Sequence, residues 1–329
     1  MNNIFHSNNK VTKEFSYTVT SATPSIFITK SPGSGVWNYN NEKIVSGNSP
    51  SYIITGAGPN YTVKLYTDSF NKITSLSLGN VVGGIGISEF EKLNSFTINN
   101  CKGLTSVTNP NSSSIISDYE LSSCNLKTLD CSGLSGLGGV FILNGNTNLT
   151  ALTLPNSSQN FNYFSTDGCD IRNLNCSSLS GFGGDFYSNS NANLTAITFP
   201  SSARVVNTLS ASGCDLRKLD CSPLSGLGGT FSINSNINLT AVTLPNSSQL
   251  FNYFTAYSCD LRSLDCSGLN NLGGHFWIEQ NKNLTALTLP YSTQVFTSFE
   301  VYSCDLTGNL NLSGLTKLGG MFLAYSNPF

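Results

Sequence analysis

Cys124, Cys169, Cys214, Cys259 and Cys304 stand 45 residues apart each time. Pro110, Pro155, Pro200, Pro245 and Pro290 keep the same period, and so do Phe96, Phe141, Phe186, Phe231 and Phe276. A Leu-Gly-Gly step recurs at Leu137, Leu227 and Leu272, with Phe182 standing in once. In the last copy Leu318-Gly319-Gly320 is displaced by one residue, which places an insertion near Gly308 and Asn309. Self-similarity of this period marks an array in which each unit packs only on its neighbours. Equivalent residues must then take equivalent places.

Each 45-residue unit divides into coils of 22 and 23 residues. One coil opens with Leu149-Thr150-Ala151-Leu152-Thr153-Leu154-Pro155, the other with Ile171-Arg172-Asn173-Leu174-Asn175-Cys176. Both have the spacing L-x-x-L-x-L, the signature of a leucine-rich repeat solenoid. From about residue 71 to the end the chain resembles that family. Asn148 to Pro155, followed by Phe161, Phe164 and Cys169, is similar to the bacterial surface-antigen type of the repeat. Two departures stand out: the ninth position, usually Asn, is Ser157 or Leu179, and the gap from Phe to Cys is longer. One coil cannot bury its own apolar edge, but stacked coils share a continuous core. Leu149, Leu152 and Leu154 are expected to point inward from a short strand, and Phe141, Phe161 and Phe164 to fill the interior from the return segments. Gly138-Gly139 is expected at a corner that a Cβ would obstruct. About eleven coils at ~4.8 Å each give a rod or arc on the order of 50 Å long.

The first seventy residues carry no repeat. Strand-like runs at Glu14–Thr20, Ser25–Thr29, Tyr52–Thr55 and Tyr61–Tyr66 alternate with Pro and Gly turns. Trp37-Asn38-Tyr39, followed by Gly58 and Tyr61 to Leu65, resembles a degenerate PKD-type β-sandwich, with Asn40-Asn41 where that family has an acidic turn. The expected organisation is mainly β: a small sandwich-like β domain over 1–68, which caps or attaches, and a solenoid over 69–329. The first ten residues have no apolar h-region, so no secretory signal is expected. Solenoids need cover at both ends, so the end near Phe329 is expected either to be covered by a partner or to be truncated.

The polar surface is built from Asn, Ser and Thr rather than from charge. Charged residues are 10% of the chain, with 16 Lys+Arg against 18 Asp+Glu. That excludes the clustered basic footprint of a nucleic-acid binder. No cofactor, metal or catalytic residue is expected. Cysteines in the same column are two coils, or roughly 9–10 Å, apart, beyond the ~7 Å reach of a disulfide. A C-x6-C spacing with histidine only at His6 and His275 does not suit zinc. Ten buried, reduced thiols are the expectation. The acids recur in columns, Asp170, Asp215, Asp260 and Asp305, or Asp130, Asp220 and Asp265. A catalytic pair of non-equivalent carboxyl groups should break the repeat rather than be copied along it. Turn capping, or pairing with Lys127, Arg172, Arg217 and Arg262, is expected instead. Asn148, Asn193, Asn238 and Asn283 are expected to bond backbone at the coil corner.

Constant columns serve the fold, and variable outward columns are where recognition can differ. The residue after Gly-Gly reads Val140, Asp185, Thr230, His275 and Met321, and two positions on it reads Ile142, Tyr187, Ser232, Trp277 and Leu323. A third column reads Asp167, Ser212, Tyr257 and Tyr302. Alternation with the constant Phe turns the first two columns outward. His275, Trp277, Glu279, Tyr257 and Tyr302, with Tyr187, are the candidate binding residues, since aromatic side chains on a polar surface are typical contacts and stack on sugars.

These readings converge on a non-enzymatic binding or structural module. The first expectation is a bacteriophage virion component: a spike, fibre or tail-associated protein exposed on the particle. Its β domain would contact other virion proteins, and its solenoid a host-surface glycan or protein. Homo-oligomerisation would cover the solenoid ends, a trimer being the common form of viral spikes, and the sequence does not fix the oligomeric state. The alternatives are a bacterial cell-surface adhesin and a polysaccharide-cleaving tailspike.

Overall fold

The computed structural model describes residues 13–19, 25–30, 35–39, 43–47, 51–53, 61–67, 70, 73–110, 112–201, 204–307 and 310–327. Before residue 68, side chains are described only for 15–19, and those of 112–114 are also left out. The insertion near Gly308 and Asn309 lies outside the described residues, as do Gly58 and Asn40-Asn41 of the PKD-type resemblance.

The described elements are strands, wound into a β-solenoid of about 11 turns. Its main wall is a 14-stranded sheet. From Ile73–Leu78 through Leu315–Leu323 every strand pairs in parallel with the strand one coil on. The return segments build this wall, and the L-x-L segments do not. Thr128–Asp130 pairs only with Ala151–Thr153, Asn173–Asn175 with Ala196–Thr198, and so on in couples along the opposite edge.

The wall is continuous because its central inward residue is nearly always aromatic. Phe96, Tyr119, Phe141, Phe164 and Phe186 lie opposite one another on successive strands and are fully buried. Leu209 interrupts the column, and Phe231, Phe254, Phe276 and Phe299 continue it. From Tyr119 onward neighbouring rings stack in parallel, as with Phe141 on Phe164 at 5.2 Å and Phe276 on Phe299 at 5.1 Å. Each such ring contributes about 1.5–3 kcal/mol by leaving water. The L-x-L segments supply the facing layer: Leu149, Leu152 and Leu154 are buried, while Thr150, Ala151 and Thr153 are exposed.

Gly138-Gly139 sits inside the strand Leu134–Ile142 rather than at a corner. The register slips between Gly139 and Val140, so the pair forms a β-bulge. Gly139 has φ +61°, and a Cβ there would lie 2.5 Å from the Ser117 carbonyl oxygen. The corners lie after the strand instead, where a residue with φ between +52° and +72° recurs each coil: Ser123, Gly145, Gly168, Ser190, Gly213, Ser235 and onward.

Just beyond each corner a polar spine runs inside the solenoid. Asn146, Asn191, Asn236 and Asn281 are fully buried and alternate with Cys124, Cys169, Cys214, Cys259 and Cys304. Asn236 Nδ2 donates to the carbonyls of Ala211 and Ile233, both at 2.8 Å, and Asn146 does the same to Leu121 and Leu143. Cys169 Sγ donates to the Leu143 carbonyl and Cys214 Sγ to that of Ser188, each at 3.1 Å. All ten cysteines are buried free thiols, and burial raises the thiol of Cys169 to about 12. The sequence assigned the corner role to the wrong asparagines. Asn148, Asn193, Asn238 and Asn283 are exposed, and each donates to a side chain one coil back: Asn125, Asp170, Asp215 and Asp260 respectively. An exposed amide has water as an alternative partner, so only the buried one must find the backbone.

Ahead of the repeats the strands are Lys13–Val19, Ser25–Lys30, Gly35–Tyr39, Lys43–Gly47, Ser51–Ile53 and Tyr61–Thr67. The runs expected near 14–20, 25–29, 52–55 and 61–66 are strands, and 35–39 and 43–47 add a hairpin. Ser25–Lys30 extends the main wall by pairing antiparallel with Ile73–Leu78. Lys13–Val19 pairs antiparallel with Val81–Gly86. Phe15, Tyr17 and Val19 are buried there, and the Phe15 ring lies 4.8 Å from that of Phe90.

Candidate functional site

The outer surface of the main wall is where side chains vary without disturbing the core. Val140, Tyr163, Asp185, Thr208, Thr230, Tyr253, His275 and Ser298 form one outward row across successive strands. Ile142, Ser165, Tyr187, Ser210, Ser232, Thr255, Trp277 and Glu300 form the next. The aromatic column faces inward between them, so strand alternation turns both rows to the outer side, where Ser165, Thr255 and Ser298 are themselves covered by their neighbours.

His275 and Trp277 come together as the sequence suggested, with centroids 5.4 Å apart. Two partners were missed. Tyr253, on the preceding strand, stacks on His275 at 4.8 Å and 7°, and meets the Trp277 ring edge-on at 6.3 Å. Ser298, on the following strand, accepts the Trp277 indole N–H at 2.6 Å and lies 3.1 Å from His275 Nδ1. Ser298 is itself buried. The indole is therefore held by its nitrogen, and what it leaves uncovered is ring surface.

Glu279 and Tyr302 form a second contact two residues further along the coils. The Tyr302 hydroxyl donates to Glu279 Oε2 at 2.6 Å, and the Tyr302 ring stacks on Tyr325 at 4.6 Å and 6°. The carboxylate acceptor favours the neutral phenol and raises Tyr302 to about 12. Tyr257 is one coil before Glu279, half-buried, with its backbone N–H donating to Asn234 Oδ1 at 3.1 Å. Tyr187 does not join this group. It lies four strands away, beside Tyr163 at 5.4 Å, and burial raises its phenol.

Tyr163, Tyr253 and Ser298 escaped the sequence reading because columns were compared at the 45-residue period. Neighbours in the wall come from the interleaved half-repeat. Aligning the chain on 22- and 23-residue coils would have set Tyr253 beside His275.

The recurrent acids are engaged in turns and rungs. Asp130, Asp220 and Asp265 each accept the backbone N–H two residues on, at 2.9 Å. Asp170, Asp215 and Asp260 accept the asparagine amides named above rather than serving as partners of Arg172, Arg217 and Arg262. Among the described residues no helix is long and apolar enough to cross a membrane, and no three His, Cys, Asp or Glu side chains gather as metal ligands.

No curated protein and no solved structure matches the chain significantly. The family described as BspA type leucine-rich repeat region does match, in six copies, over residues 85–193, 139–231, 184–274 and 228–328. Solenoids of that kind are typically non-catalytic binding scaffolds and are consistent with a surface or adhesin-like repeat protein. The coil length, the buried leucine and aromatic layers and this match together show that the chain belongs to the BspA-type leucine-rich repeat family.

Proposed function

We propose that this protein is a non-enzymatic scaffold, displayed on a surface, which binds its target through the outer face of the main wall. The observation that carries the reading is the ordered cluster of Tyr253, His275 and Trp277, held from behind by Ser298. The fold does not need these rings, since Thr208, Thr230 and Ser232 serve at equivalent positions. Aromatics fixed in place on a polar surface give contact area at little entropic cost. The strands before residue 68 would join the scaffold to its anchorage. The family favours a bacterial cell surface as the setting; the low charge and the Asn/Ser/Thr surface also suit a virion spike or fibre.

Two measurements test this. Labelled protein should attach to intact target cells, and Tyr253→Ala with Trp277→Ala should abolish attachment while leaving the melting temperature unchanged. Attachment that survives both substitutions would refute the assigned face. Immunogold labelling of the source culture decides the setting: gold on cell envelopes supports the adhesin, and gold on particles the virion component.

A further inference from the structure

We infer that the outer face of the main wall takes a linear, uncharged oligosaccharide, laid along the solenoid axis and held at two equivalent aromatic stations. The inference rests on the binding-scaffold reading above and names its ligand class.

The stations are Tyr163 with Tyr187, and Tyr253 with Trp277. Each pair is two residues whose sheet positions recur ninety residues on, two full 45-residue repeats. Tyr163 lies opposite Asp185 in the wall as Tyr253 lies opposite His275. In both stations the rings touch, at 5.4 Å in the first and 6.3 Å in the second. Four strand steps separate them, about 19 Å at ~4.8 Å per step. A short sugar chain spans that distance, and a single sugar does not.

Between the stations the wall presents the half-buried hydroxyls of Thr208, Ser210, Thr230 and Ser232. Ser232 shares a hydrogen bond with Ser212 at 2.9 Å and accepts one from the buried Asn234 Nδ2 at 3.0 Å. Flat aromatic faces suit the C–H faces of pyranose rings, and hydroxyl rungs suit the sugar hydroxyls. A protein partner would be met by an apolar interface centre, and this stretch has no large aliphatic side chain in either outward row.

Charge narrows the class. Neither outward row contains Lys or Arg from Ser95 to Met321 or from Thr97 to Leu323, while Asp118, Glu120, Asp185 and Glu300 stand in them. An anionic glycan would find like charge and no cationic side chain within either row, so uronic-acid and sialylated chains are disfavoured.

Trp277 reports on its own station. The chain has two tryptophans, so in a Trp37→Phe background the emission comes from Trp277 alone. Neutral glucan, mannan and galactan oligosaccharides, as disaccharides and hexasaccharides, are titrated against that protein, with a uronic-acid hexasaccharide as comparison. The expected result is that one neutral hexasaccharide series shifts the emission and binds at least about tenfold tighter than its disaccharide, because the second station acts at high effective concentration. Tyr163→Ala with Tyr187→Ala should bring the hexasaccharide down to the disaccharide affinity and leave the disaccharide unchanged. Equal affinity for both lengths, preference for the uronic-acid chain, or no shift with any neutral sugar would each overturn the inference. If the sugars fail while Trp277→Ala still abolishes attachment to cells, the scaffold reading stands and its ligand is a protein. If wild-type protein attaches to no cell surface, the scaffold reading falls as well.

Discussion

The indole N–H of Trp277 donates to the hydroxyl of Ser298 at 2.6 Å, across neighbouring strands and from a serine that is itself buried. That bond, with the contact of the same hydroxyl to His275 Nδ1, holds two rings of the proposed binding face in one arrangement. Ser298→Ala should therefore loosen the site without dismantling the coil. The expected cost in stability is about 1 kcal/mol, the net worth of one hydrogen bond. Target affinity should fall several-fold, with a lower emission anisotropy of Trp277 in the Trp37→Phe background. Unchanged affinity would show that the rings are held by packing alone.

Asn236 and Asn238 separate the buried spine from the exposed rungs. Asn236→Ala leaves the Ala211 carbonyl without its side-chain donor and the Ile233 carbonyl with only the weak Cys259 thiol, so a loss of roughly 1–3 kcal/mol is expected. Asn238→Ala removes an exposed contact to Asp215 and should cost less than about 0.5 kcal/mol. Denaturant melts of the two variants decide the matter, and equal losses would contradict the assignment.

Gly139 and Gly86 test the bulge. Gly139→Ala meets both a φ of +61° and the Ser117 carbonyl, and should destabilise the chain by at least about 1–3 kcal/mol. Gly86→Ala would have the Thr108 Cβ as its nearest neighbour at 4.0 Å, and should be close to neutral. Thermal melts read the difference directly.

The thiols give a pH dependence with a definite sign. Burial raises the thiol of Cys169 from an ordinary 9.0 to about 12 and those of Cys124, Cys214, Cys259 and Cys304 to about 11. Above pH 9 the unfolded chain releases these protons and the folded chain keeps them, so stability falls as pH rises. The loss should begin near pH 9 and continue through the range of the raised values. A thiol reagent at pH 8 should find few of the ten cysteines in native protein and all ten in denaturant. Rapid labelling of the native form would contradict the burial of the spine.

Much of this architecture was legible without coordinates, because a strict period states which residues are equivalent. Phe141, Phe186 and Phe231 had to be alike in burial, and the cysteines had to lie in columns too widely spaced for disulfides. The variable positions His275 and Trp277 stood out against their constant neighbours for the same reason. The corner asparagine was misread because Asn146 and Asn148 are equally periodic, and period carries no information about which of the two faces inward.

Adjacency was decided by the tertiary structure. Coils stack at a register set by the buried aromatic column, and that register places the interleaved half-repeat, not the equivalent one, beside each residue. It set Tyr253 on His275 and Ser298 behind Trp277, and it put the continuous hydrogen-bonded wall on the return segments, where the rings stack. The coil, its period and its buried layers follow from local spacing and apolar content, which the amino-acid order already carries. Which side chains touch across coils, and hence the composition of the outer face of the wall, depends on long-range packing that no single coil encodes.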